Sequence, residues 1–249
     1  MPEMVIFDLD GTLARSKQPI APSTAALLSA LLSRTKVAVV SGGALLQFET
    51  QVVAQLPTDA SLENLYLLPT SGAALYEWRA AKWIKVYEER IPEDEAYKIQ
   101  ETVRFAAEET GVIDFATPSF GDRIEYRGAQ ITLSALGQEA PIAAKEAWDP
   151  TKSKRHALQK AIASKLHGYA VSMGGKTSID VTKEGIDKAY GIHQLSKRLQ
   201  IPEANMLYVG DELEKGGNDE AVYKTEAKAK PIQNPTETEQ LIQEILAIP

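Results

Sequence analysis

A chain of 249 residues, 44% of them apolar, has enough hydrophobic side chains for one large domain or two smaller ones. Its formal net charge of -7 argues against a broad nucleic-acid-binding face, and the absence of cysteine removes disulfides, thiol catalysis and cysteine-built zinc sites. No stretch approaches the ~18 apolar residues of a membrane span, and Met1-Pro2-Glu3-Met4 lacks the basic-then-apolar pattern of a secretory leader, so the expectation is a cytoplasmic protein with neither nucleic acid nor membrane as partner.

Val5, Ile6, Phe7 and Leu9 around Asp8 predict a short buried strand over 4–9, broken by Asp10-Gly11-Thr12. Leu27, Leu28, Leu31 and Leu32 predict a helix opening at Pro22-Ser23, with Ser23 or Thr24 as its N-cap. A second strand over 36–40 ends at Ser41-Gly42-Gly43, a helix follows over 44–56, and a third strand over 65–68 closes at Pro69-Thr70-Ser71-Gly72. Alternating strands and helices, with strands that are continuous apolar runs, are the pattern of a parallel sheet covered on both faces.

The middle of the chain has another rhythm. Residues 93–109 and 151–166 read as helices. Two antiparallel strand pairs accompany them, 123–126 with 130–133 around Arg127-Gly128-Ala129, and 169–173 with 177–181 around Gly174-Gly175-Lys176. After Gly185 the first rhythm returns, with a helix over 188–199, a strand over 205–209, a loop over 210–219, a short strand over 227–231 and a helix over 236–246. The expected organisation is an α/β core built from 1–81 and 186–249, with an α+β module of 82–185 inserted into it.

Chemistry gathers where strands end. In an open parallel sheet, ligands sit beyond the carboxyl ends of the strands, and Asp8-Leu9-Asp10-Gly11-Thr12 stands at the first such end. Two carboxylates there are costly unless a cation pairs with them, and magnesium favours carboxylate, water and phosphate oxygens. Asp8 can act as a nucleophile that forms an aspartyl phosphate. Asp10 can turn its backbone carbonyl to the metal and its side chain to the leaving oxygen, as general acid and then base. Thr12 can donate to a phosphate. Asp-Gly-Thr alone is a turn signal; the five residues directly after an apolar strand point to chemistry.

Three further elements complement a metal-bound phosphate. Ser41 can donate to a phosphoryl oxygen, and Gly42 and Gly43 leave backbone amides open to an anion; on its own, Ser-Gly-Gly is a turn. Lys188, near a helix start in Gly185-Ile186-Asp187-Lys188, can neutralise Asp8 and the phosphoryl charge. Asp211, in Tyr208-Val209-Gly210-Asp211, is a metal-ligand candidate, while Asn218 and Asp219 in Gly216-Gly217-Asn218-Asp219 can orient water or Lys188 from behind. His156, His167 and His193 lie in helical stretches without metal-ligand spacing.

Taken in order, Asp8-Leu9-Asp10-Gly11-Thr12, Ser41, Lys188 and Gly210-Asp211 resemble the four motifs of haloacid dehalogenase phosphotransferases, over essentially the whole chain. The insertion between the Ser and Lys motifs resembles the type IIB cap subfamily. The resemblance implies a Rossmann-like core, a mobile α+β cap, Mg2+ and an aspartyl-phosphate intermediate. Ile124-Glu125-Tyr126-Arg127, Leu133-Ser134-Ala135-Leu136-Gly137 and Gly174-Gly175-Lys176-Thr177-Ser178-Ile179-Asp180-Val181 are similar to cap segments of eukaryotic-type phosphomannomutases and their bacterial relatives. That similarity implies substrate contacts for Arg127, Lys176, Ser178 and Asp180, and a dimer through the cap. It also implies arginine where this chain has Phe120 and Gln138, and the loss of two bidentate phosphate clamps favours a sugar-phosphate phosphatase over a hexose phosphate mutase, with Arg123 and Lys176 as possible stand-ins. A binding protein without catalysis is the third alternative. In each case the expected partner is a small phosphate ester.

Overall fold

The computed structural model describes residues 1–248. In chain order the regular elements are β1 (Met4–Asp8), α1 (Pro22–Leu32), β2 (Lys36–Val40), α2 (Leu45–Gln51), β3 (Leu65–Leu68), β4 (Ala74–Arg79) and β5 (Lys82–Glu88). There follow α3 (Glu93–Glu109), β6 (Ile124–Tyr126), β7 (Ile131–Ser134), α4 (Ile142–Trp148), α5 (Ser153–Ala163), β8 (Tyr169–Met173) and β9 (Ser178–Lys183). The chain ends with α6 (Lys188–Leu199), β10 (Met206–Gly210), β11 (Lys228–Pro231) and α7 (Pro235–Leu246). Among the described residues no helix is long and apolar enough to cross a membrane.

Two compact units emerge. The first joins Met1–Glu88 to the segment from Asp187 onward, and the second is Glu89–Ile186. The first is an α/β unit around a seven-stranded sheet of order β11-β10-β1-β2-β3-β4-β5. Its strands from β11 to β3 are parallel, and β4 and β5 close one side as an antiparallel pair. The apolar runs have a simple cause: Val5 and Phe7 pack with Leu28, Leu31, Phe48, Ile242 and Ile245 from α1, α2 and α7. Met4 and Ile6, on the other face, pack with Ile192 and Leu195 of α6. Each such side chain, fully buried, contributes roughly 1.5–3 kcal/mol, and β1, buried at all five positions, has no wet face on which a polar residue would be cheap.

The second unit is α+β, with a four-stranded antiparallel sheet of order β6-β7-β9-β8. Alternation divides its faces. Ile131, Leu133, Ile179 and Val181 pack with Val103 and Ala106 of α3 and Leu158 and Ile162 of α5. The intervening Thr132, Ser134, Ser178, Asp180 and Thr182 point to the opposite face, as a two-residue period requires.

Several expectations from sequence need correction. Residues 82–88 do not begin the insertion: they form β5, paired with β4 along its length, so the first unit continues to Glu88. Nothing in the sequence marks the hairpin, because its turn, Arg79-Ala80-Ala81-Lys82, has none of the usual turn residues. Ala80 and Ala81 nevertheless adopt φ of 49° and 59°, a left-handed conformation that costs an L-residue with a Cβ about 1–2 kcal/mol. Replacing Ala80→Asn and Ala81→Gly together should therefore raise the thermal midpoint by about 3–6 °C in a scanning calorimeter; no gain would mean the turn is unstrained. Ser23 and Thr24 do not cap α1. Pro22 occupies its first turn after Ala21, and both hydroxyls donate to Glu239 Oε1 of α7 at 2.6 Å. The helix expected over 44–56 stops at Gln51 and gives way to a 3-10 turn at Val53–Gln55. The short α4 behind Pro141 is additional to the elements expected from sequence.

Candidate active site

β1 delivers Asp8 to the carboxyl edge of the parallel strands, and α6 delivers Lys188 from the far end of the sequence. The start of α6 is fixed by its N-cap: Asp187 Oδ1 accepts from Tyr190 N at 3.0 Å and its Oδ2 pairs with Lys224 at 2.6 Å. Lys188 then donates from Nζ to Asp8 Oδ1 at 2.6 Å, to Asp219 Oδ1 at 2.5 Å and to Asn218 Oδ1 at 3.1 Å. Asp8, Lys188 and Asp219 are 3%, 3% and 0% exposed, so this is a buried ionic cluster and not a surface pair.

The loop after β10 returns on itself. Asp219 N donates to Glu212 O at 3.1 Å, and Glu212 N donates to Asp219 Oδ2 at 3.2 Å. That closure brings Asp211 and Asp219 together although seven residues separate them. Tyr208, fully buried in β10, donates its hydroxyl to Asp219 Oδ1 at 2.5 Å. The Asp219 carboxylate thus accepts three hydrogen bonds, from Lys188, Tyr208 and the Glu212 amide, and is held where Lys188 needs it. Thr12 Oγ1 donates to Asp211 Oδ1 at 3.4 Å. Gly11 has φ of +100°, and a Cβ there would collide with the Asp211 carboxylate, so only glycine lets the turn after β1 pass so near.

The electrostatics follow from burial. Burial pushes the Asp8 carboxyl well above the usual carboxylate range; Lys188 opposes this, while Asp219 and Asp211 add to it. Burial, with Asp219 and Glu212 nearby, lifts Asp211 to about 7. Burial also disfavours the Lys188 charge, but Asp219 and Asp8 outweigh it and the ammonium is held above its ordinary value.

Asp8, Asp211 and Asp219 each offer a carboxylate oxygen, all within 4.8 Å of one another. One ammonium does not balance three carboxylates, and Asp8 Oδ2 is buried without a hydrogen-bond partner among the described residues. Hard oxygen donors, surplus negative charge and an orphaned carboxylate oxygen fit a divalent cation such as Mg2+. Asp8 and Asp211 are the residues free to hold it, because Asp219 is already engaged. The position of Asp219 inside this group, and not merely behind it, is a feature that spacing alone does not convey.

The Asp10 carboxylate has partners outside the cluster: Oδ1 accepts from Lys17 N at 2.6 Å and Oδ2 from Gln47 Nε2 at 3.0 Å. Ser41, buried just past β2, accepts from Gly43 N at 3.3 Å, with Gly42 between them. Tyr208 and Gln47 carry no signal in the sequence that marks them as site residues. Tyr208 reads as one more apolar strand residue, and Gln47 as an ordinary residue in the first turn of a helix.

In the second unit, Asp180 is buried on β9 and accepts from Thr132 Oγ1 at 2.8 Å, which in turn accepts from Gln130 Nε2 at 2.8 Å. Ser178 opens the same strand, on the same polar face. Arg127 is ion-paired with Glu125 at 2.6 Å and donates to Gln138 Oε1 at 3.2 Å. Lys176 makes an exposed pair with Glu146 at 2.9 Å. Arg123 is a structural staple: its guanidinium serves Ala135 O, Asp114 O and Thr117 Oγ1 and stacks on Phe115 at 5.4 Å.

Comparison with known proteins gives concordant results. The family model for eukaryotic phosphomannomutase matches residues 24–248. A probable phosphomannomutase of Caenorhabditis elegans is 25% identical over 251 residues, covering 98% of this chain and 95% of that protein. Phosphomannomutase 1 of Homo sapiens is 25% identical over 228 residues, covering 88% of this chain and 82% of its own length. Among solved structures, an N-terminally truncated IMP-nucleotidase of Plasmodium falciparum superposes with a TM-score of 0.73 at 19% identity, over 100% of this chain and 71% of that one. At that identity the likeness establishes the fold, the haloacid dehalogenase fold with an inserted cap unit.

Proposed function

We propose that this chain, which belongs to the eukaryotic phosphomannomutase family, moves a phosphoryl group between oxygens of a hexose phosphate by way of Asp8. The observation that carries the reading is the buried Asp8–Lys188 pair at 2.6 Å with the second Asp8 oxygen unpartnered. A carboxylate so placed is oriented by an ammonium, and one of its two oxygens would attack phosphorus while the other serves the cation. Lys188, Thr12, Ser41 and the amides at Gly42 would bind the non-bridging phosphoryl oxygens, and Asp10 would serve the leaving and accepting oxygens. Held by Asp8 and Asp211, with the main-chain carbonyl of Asp10 as a further donor, Mg2+ would supply charge neutralisation for the transferring group. Selection of the sugar would fall to the polar sheet face of the second unit, with Ser178 and Asp180, and to Arg127 and Lys176.

Two outcomes of the same chemistry compete. The names of the relatives favour a mutase, in which the phosphorylated Asp8 returns its group to a sugar hydroxyl. The second reading, a sugar-phosphate phosphatase in which water is the acceptor, is favoured by Phe120 and Gln138 in place of arginines and by the Glu125 carboxylate on Arg127. Mannose 1-phosphate and glucose 1-phosphate with Mg2+, each with and without hexose 1,6-bisphosphate, separate them. The mutase reading expects 6-phosphate products whose formation depends on bisphosphate. Stoichiometric release of inorganic phosphate without that dependence would install the phosphatase in its place, and no turnover of either kind would end both.

A further inference from the structure

Gln47 lies in the first turn of α2, but its side chain reaches across to Asp10, donating from Nε2 to Oδ2 at 3.0 Å. The other oxygen, Oδ1, accepts from the main-chain N–H of Lys17 at 2.6 Å. Lys17 is itself held in the left-handed region at φ of 55°. Two donors from separate chain segments thus fix the Asp10 carboxyl group in one rotamer. The room for this is built in: a Cβ on Gly43 would overlap the Gln47 amide. Gly43 is also tied down, its carbonyl accepting from Thr70 N at 3.0 Å. The glycine that ends Ser41-Gly42-Gly43 therefore makes space for the glutamine that grips Asp10.

An acid that must hand a proton to one oxygen loses rate steeply when it is misplaced by ~1 Å. We propose that Gln47 is the positioning residue of Asp10, aiming its carboxyl at the leaving and accepting oxygens of the sugar phosphate; this rests on the assignment of Asp10 as the proton donor. In the first step an Asp8 oxygen bonds to phosphorus as the bond from phosphorus to the ester oxygen breaks. The electron pair leaves on that ester oxygen, which takes the proton of Asp10. In the second step the acceptor hydroxyl gives its proton to Asp10 as its oxygen bonds to phosphorus and frees Asp8. Gln47 touches neither reacting oxygen and acts through Asp10 alone.

The test compares the first step alone, read as release of the leaving group in a single turnover, for a hexose 1-phosphate, whose leaving alkoxide needs a proton, and for acetyl phosphate, whose leaving acetate needs none. Gln47→Leu should slow release of the hexose at saturating substrate by about 10- to 30-fold, with the half-saturating concentration within about twofold, and slow release of acetate by less than about threefold. Gln47→Glu, which keeps the shape but has no N–H to give, should lose as much as Gln47→Leu. Asp10→Asn serves as the reference. If Asp10→Asn slows both substrates alike, the assignment of Asp10 as acid fails. If Asp10→Asn discriminates between them while Gln47→Leu slows both equally or neither, or if Gln47→Glu keeps full activity, the role given to Gln47 is overturned.

Discussion

Asp8→Asn should abolish turnover, by at least about 10⁴-fold in kcat, while leaving a folded protein of equal or higher thermal midpoint. The first half of the expectation rests on the lost nucleophile. The second half rests on what surrounds it. Asp8 is buried beside Asp219 and Asp211, and burial with these neighbours raises its carboxyl well above the ordinary range, so its charged form is held at a cost. An amide keeps the size, still offers an oxygen to Lys188, and removes one of three crowded carboxylates. Lys188 keeps Asp219 at 2.5 Å. Steady-state kinetics with a phosphate ester and Mg2+, alongside a melting curve, read both halves. Near-normal turnover would mean that another group attacks phosphorus; a large loss of stability would mean that Asp8 is chiefly a structural partner.

Lys188→Met should act in the opposite way on stability. Removing one partner of a buried ion pair costs about 3–5 kcal/mol, because the charge left behind has no compensation. Here Asp8, Asp219 and Asp211 would all be left. The loss should depend on pH in a definite sense. Asp8 is raised and Asp211 is raised to about 7 even with Lys188 present. A carboxyl whose folded value lies above its unfolded value binds more protons in the folded state, so its contribution is full below the unfolded value and is lost as pH rises through the folded one. Urea unfolding of metal-free Lys188→Met should therefore show it closest to the wild type near about pH 5 and furthest from it near about pH 8. Activity should fall at every pH. A variant equally stable at both ends would show that the three carboxylates do not share one environment.

Much of this arrangement was readable because a parallel sheet makes a rule of position. Asp8 and Lys188 are 180 residues apart, yet one ends an apolar strand and the other starts a helix in the returning α/β segment, and the fold collects such points at one edge. The alternation Ser178-Ile179-Asp180-Val181-Thr182 likewise declares which side chains share a face. Other features resist reading for physical reasons. Ala80 and Ala81 take a turn conformation that their side chains disfavour, so β4 and β5 had no punctuation between them. Tyr208 has a hydroxyl whose partner, Asp219, is set by the closure of a loop and not by spacing along a strand. The pairing of Arg127 with Glu125 turns on which of several nearby groups a long side chain meets, and the motif around it does not specify that.

The first unit is discontinuous, and β1 lies between β2, encoded close behind it, and β10, encoded near the other end. During synthesis Asp8 is therefore made 180 residues ahead of Lys188, and the acidic loop follows later still. Until then β1 has one flank unsatisfied, a template for wrong strand pairing. A chain that stops short of Lys188 would therefore hold the Asp8 carboxylate without the ammonium and the Asp219 carboxylate that surround it.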